Sequence, residues 1–188
     1  ASVRRRLGDF GGADTALQEA LRLARETNNP PLVAEALAGQ AALLLDRGQR
    51  GRALPVAREA VTRALATRDQ RLILLARLRA AEAAQSVREI ESVLAKASSA
   101  GLAPIAAVAQ LDLARVHLAA GRTREAGLAA EHALQAGTPM HLRDLLFQAS
   151  HLAGRALKAQ GRAAAAADSF SAGLGYLEEL RQDLSGAD

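Results

Sequence analysis

Four times along the chain a glycine is followed at +5, +9 and +12 by small or apolar residues: Gly8/Ala13/Leu17/Ala20, Gly48/Ala53/Ala57/Ala60, Gly121/Ala126/Ala130/Ala133 and Gly161/Ala166/Phe170/Gly173. Steps of four and three place the later residues of each set on one helical face, and each glycine follows an apolar-periodic stretch. Each set therefore reads as a turn that opens a packing helix. A turn glycine with a helix on either side, recurring along the chain, is a helical-hairpin repeat. Such a chain must bury each hairpin on its neighbours.

Composition agrees with an all-α reading. Aromatics make up 2% of the 188 residues while alanine is abundant, which suits helices that approach closely through small side chains and disfavours a sheet core. Without cysteine there are no disulfides, zinc thiolates or thiol catalysis; this usage fits a reducing compartment, and a cytoplasmic location is expected. No apolar run approaches the roughly 20 residues that span a bilayer, so no membrane partner is expected. The net charge is +4 and the pI about 10.5, because nearly all the cations are arginine. The charge is uneven. Nine arginines lie between Arg47 and Arg79 against Glu59 and Asp69, making that stretch the one best suited to an acidic partner.

The glycine spacings are 40, 73 and 40 residues, and 73 is close to two periods, so a degenerate repeat is expected in the middle with its turn near 84–86. Ser86-Val-Arg-Glu89 there has the form of a capping box. The expected organisation is a single repeat domain over 1–188, with repeats at 1–29, 32–68, 70–101, 104–137 and 140–184. The first is read as truncated, the chain as a fragment of a larger protein. Pro55 is expected near the first turn of its helix, and Gly173 with Gly175 are expected to kink or divide the last one. Tyr176, Leu177, Leu180 and Leu184 then form an apolar stripe, read as packing back on the fifth repeat or as a docking surface, including one for a homo-oligomer through the C-terminal helix.

A small residue late in helix A, a glycine at the turn and alanines in helix B resemble the tetratricopeptide repeat. The clearest copies run from Ala153-Gly154 through Gly161, Ala166, Phe170 and Leu174, and from Leu113-Ala114 through Gly121, Ala126, Ala130 and Ala133. The spacing of 40 exceeds the family's usual 34, and leucine replaces its bulky helix-A aromatics. Such long repeats resemble those of bacterial signalling proteins, where they adjoin ATPase, kinase or DNA-binding modules. The resemblance implies a right-handed α-α superhelix with a concave face lined by the A helices, and a scaffold or interaction role without enzymatic activity.

No site chemistry is legible. His117, His132, His141 and His151 have no metal-ligand spacing, the Gly8–Gly12 and Gly48–Gly51 segments lie between helices and lack a phosphate-loop ending, and no nucleophile motif occurs. No catalytic residue, metal or cofactor is expected. What remains is a surface. On the expected concave face Leu111, Arg115 and Leu118 align in repeat four, and Gln148, His151, Arg155 and Lys158 in repeat five. These mix apolar floor with cations and suit a peptide or helix, in particular an acidic one. The asparagine-based carboxylate clamp of the family is not matched, since no asparagine follows Asn29. Two other readings compete with a plain interaction module. One is a sensor arm that regulates an attached signalling domain by binding a peptide or small effector. The other is nucleic-acid binding by the arginine-rich stretch, weakened by the near absence of stacking aromatics.

Overall fold

The computed structural model describes residues 9–185, and among these it contains nine α-helices, one 3-10 turn and no strand. The helices are α1 (Phe10–Glu26), α2 (Pro30–Asp46), α3 (Arg50–Thr67), α4 (Gln70–Ala83), α5 (Val87–Ser99), α6 (Ala103–Ala119), α7 (Thr123–Gly137), α8 (Arg143–Ala159) and α9 (Ala163–Ser185). Gly8 and the side chain of Leu184 lie outside the described residues. The expected all-α array of helical hairpins is what the chain forms.

Its connections follow one rule. Every junction between helices holds a single residue in the left-handed region: Asn28, Gly48, Arg68, Gln85, Gly101, Gly121, His141 and Gly161, at φ between 48° and 77°. These residues stand 20, 20, 17, 16, 20, 20 and 20 apart. Around seven of them the next backbone N–H donates to the carbonyl five residues back, as in Asn29 to Ala24 at 2.9 Å and Arg122 to His117 at 2.9 Å. This closes the helix end and satisfies carbonyls that would otherwise be orphaned. Several helix starts are capped by side chains: Asp9 accepts from Gly12 at 2.8 Å, Asn29 from Leu32 at 3.2 Å and Asp69 from Leu72 at 3.1 Å. At the expected middle turn Ser86 Oγ accepts from the Glu89 amide at 3.4 Å, the first half of the capping box.

The chain divides into two compact units, with the boundary between Glu89 and Ile90 inside α5. In the first, α1 to α4 pack successively and α2 also touches α4. Its core is alanine-rich: Ala53, Ala57, Ala60 and Ala64 of α3 are all fully buried. Small side chains at a contact let neighbouring helices approach closely. In the second unit α6 packs on α7, α7 on α8, and α8 on both α9 and α6. Ala126, Ala130 and Ala133 are fully buried and Ala166 is 3% exposed.

Three local expectations are corrected. Ala20 is exposed, and the buried face of α1 is instead Ala13, Leu17, Leu21 and Ala24, which shifts the third contact by one residue. Pro55 lies inside α3 and not in its first turn, because the helix starts at Arg50, before the second turn glycine. Finally, α9 runs unbroken through Gly173 and Gly175. The two glycines differ in kind. A side chain on Gly173 would meet Ser150 Cβ at 3.3 Å and the Phe147 carbonyl at 3.6 Å, so its absence lets α9 lie close on α8, while Gly175 faces open space.

Candidate functional site

The residues singled out by the A-helix spacing fall in the second unit, on α6 and α8, which pack together. Four of them form a continuous exposed or half-exposed row on α8. His151, Arg155 and Lys158 are exposed and Gln148 is partly so. Across from them on α6, Arg115 and Leu118 are partly exposed.

Leu111 is not part of this surface. It is 3% exposed, although it occupies the same place relative to its turn glycine as exposed His151 does on α8. The difference is one of position in the series: α6 has α8 packed beside it, whereas among the described residues no further helix of this kind packs beside α8. Leu111 therefore contributes core packing.

Three contacts organise the row. Arg115 donates from Nη2 to Gln148 Oε1, joining α6 to α8, and from Nη1 to Asp112 Oδ1 at 2.7 Å. Asp112 is fully buried, so this pair fixes the guanidinium from below. At the other edge the His151 ring lies 5.6 Å from the Phe170 ring at an interplanar angle of 49°, which ties the row to α9. Gly154 lies beneath. A Cβ there would stand 2.5 Å from Phe170 Cε1, so glycine is what lets the ring seat on α8.

Arg115 and Arg155 each precede their turn glycine by six residues. Arg115 has a carboxylate from its own helix at ion-pair distance. Arg155 has leucine at the place of Asp112 and lysine at +3, and among the described residues no acidic side chain reaches it. Burial, with repulsion from Arg155 added, holds the His151 pKa below its ordinary 6.5. The row thus carries two fixed positive charges and a histidine that is mainly neutral at pH 7. It has the means to orient carboxylates and pack apolar groups.

A second histidine of this unit stands out by its surroundings, which spacing does not convey. His117 Nδ1 is buried without a hydrogen-bond partner. Burial, with repulsion from Arg122 added, holds its pKa below 6.5, against the opposing pull of Glu125 and Glu91. The unfolded chain therefore binds more protons below that pH than the folded one does. Stability should fall as the pH drops below about 6.5 and level off once the folded ring also titrates. Melting temperatures across that range should decline less in His117→Gln than in the wild type; equal slopes would show that the ring contributes nothing to the acid sensitivity.

The arginine-rich stretch of the first unit is dispersed over several environments. Arg79 is buried against Glu82 at 2.5 Å, Arg63 lies 3.6 Å from Glu59, and Arg47 sits over the Phe10 ring at 5.7 Å. Gly48 to Gly51 form the α2–α3 junction and the start of α3.

No family model matches the chain. No curated protein matches it either. Among solved structures, one titled "Crystal structure of MamA" aligns over 95% of this chain and 95% of that one, at 19% sequence identity and a TM-score of 0.40. No helix among the described residues is long and apolar enough to cross a membrane.

Proposed function

We propose that the chain is a non-catalytic interaction module whose second unit receives a peptide or helix, acidic in character, on the face shared by α6 and α8. The observation that carries this reading is the contrast between the two arginines of one register. The guanidinium of Arg115 is held by Asp112 and Gln148, while that of Arg155 is exposed beside Lys158 with no carboxylate at hand. A partner carboxylate supplies at Arg155 what Asp112 supplies at Arg115. Leu118 offers apolar contact, and Gln148 and His151 bound the row; apolar anchors contribute most of the affinity and the charges mainly orientation and on-rate. The repeat pattern supports a protein partner, and the dispersal of the first unit's arginines argues against a nucleic-acid surface.

Affinity capture from cell extract tests this with the double variant Arg155→Glu, Lys158→Glu. Both side chains are exposed, so the helical circular dichroism should not change while partner capture is lost. Capture that persists in the folded variant would place binding on another face.

A further inference from the structure

The exposed row of α8 repeats a face whose use is visible on α6. Counted back from the turn glycine of its hairpin, α6 carries Leu111, Arg115 and Leu118 ten, six and three residues before Gly121, and α8 carries His151, Arg155 and Lys158 at the same distances before Gly161. On α6 this face receives a helix. Leu111 is buried, and Arg115 donates to Gln148 of α8. The same face of α8 is turned outward, with His151 and Lys158 exposed where α6 has leucines.

The contact between α6 and α8 also sets a register. Gln148 lies thirteen residues before Gly161, so the acceptor for Arg115 stands seven residues further from its turn than the arginine does from its own. The same offset, applied to a helix beside α8, gives that helix two facing residues three apart, one for Arg155 and one for Lys158. Residues three apart share a helical face. Their chemistry follows from what Arg155 lacks. An amide suffices at Arg115, because Asp112 supplies the countercharge from the same helix; α8 has Leu152 in that place, so the incoming acceptor has to bring the charge itself. Glutamate has the length of glutamine and carries that charge. On its other side the docked helix meets α9, which has Leu177 where α7 has Gly137, the residue over which Leu145 and Leu146 of α8 close. Small residues are therefore required two and three positions before the first glutamate.

We infer, building on the acidic partner proposed above, that the occupant of this face is an α-helix laid beside α8 as α8 lies beside α6, with a Glu-x-x-Glu pair opposite Arg155 and Lys158. An extended acidic segment does not meet the same demand. Residues three apart along a strand point to opposite sides, so only one of the two carboxylates would face the row.

Alanine-based peptides, locked as helices by a side-chain lactam on the face away from the glutamates, test the inference by fluorescence anisotropy with the full chain at low ionic strength. One peptide carries Glu-x-x-Glu; the control has the same composition with the pair as Glu-x-Glu, which sets the carboxylates about 200° apart around the helix. The first is expected to bind at least about 10-fold more tightly than the second. The variant Arg155→Glu, Lys158→Glu should lose that binding at unchanged circular dichroism and should take instead a peptide with lysines at the two glutamate positions. Equal affinity for the two spacings, or for a proline-interrupted peptide of the same charge, overturns the helical occupant and leaves the acidic-partner reading standing. Binding that is unchanged in the folded double variant overturns both. A wild type that binds none of these peptides also overturns the inference.

Discussion

Replacing Ala126 by leucine should destabilise the second unit by about 1–3 kcal/mol, through overpacking. Ala126 is fully buried on α7, at the first contact position after its turn glycine, and its counterparts Ala53 and Ala166 are 0% and 3% exposed. Leucine is nearly as good a helix former as alanine, so propensity does not account for a loss of this size. Nor is there an open side to which the added atoms can turn. The cost arises because α6 and α7 must separate, or rotate, to admit them. Chemical denaturation of wild type and variant measures it, and an unchanged midpoint and slope would show that α6 and α7 do not meet at Ala126 as described.

The second large effect concerns Gly154, and here two terms oppose each other. Alanine at that position gains about 1 kcal/mol as a better helix former, yet its Cβ would lie 2.5, 2.7 and 2.9 Å from three ring carbons of Phe170. Overpacking typically costs about 1–3 kcal/mol, so the clash should win and Gly154→Ala should be destabilising by up to about 2 kcal/mol net. In a Phe170→Ala background the obstruction is gone, and the same substitution should become stabilising by up to about 1 kcal/mol. Gly127 of α7 serves as the control: a Cβ there meets its nearest neighbour, the Ala156 methyl group, at 3.9 Å, so Gly127→Ala should stabilise the wild type directly. The double-mutant cycle is decisive because it predicts a change of sign. If Gly154→Ala had the same effect with and without the Phe170 ring, the close approach of α8 and α9 would not be limited at that contact.

Much of the architecture is written in the sequence, since glycine at a left-handed turn and alanine at a close contact are both residues chosen by backbone geometry. The turns at Gly48, Gly121 and Gly161 are legible for that reason. Those at Asn28, Arg68, Gln85 and His141 adopt the same conformation without glycine, so a search for glycines sees only part of the series. Gln85 is located only because the 73-residue gap and the Ser86 capping pattern point to it. Asparagine tolerates the left-handed region readily; arginine, glutamine and histidine adopt it at some cost, supplied by packing of the helices on either side. The binding row is partly legible. Spacing places Gln148, His151, Arg155 and Lys158 on one face of α8, but spacing is blind to neighbours, and Leu111 shares its register with His151 while being buried beside α8. What no periodicity conveys is which arginine already has a carboxylate: Asp112 and Arg115 are three apart on one helix, and the link to Gln148 spans 33 residues of chain.

The spacing of the left-handed residues limits how such a chain can change length. The two arms of the middle hairpin, with intervals of 17 and 16, are shorter than the usual 20 by three and four residues. At 3.6 residues per turn, each loss removes about one turn of helix and rotates the succeeding helical face by no more than about 60°. Ala97 of α5 and Ala81 of α4 therefore remain fully buried despite the contraction. Losing two residues instead would turn that face through about 200° and expose the side chains that should be packed. Length in this fold is consequently quantised: the arms lengthen or shorten by whole turns, and a substitution-rich but insertion-poor history within helices, with indels clustered in threes and fours, is the pattern such a constraint would leave.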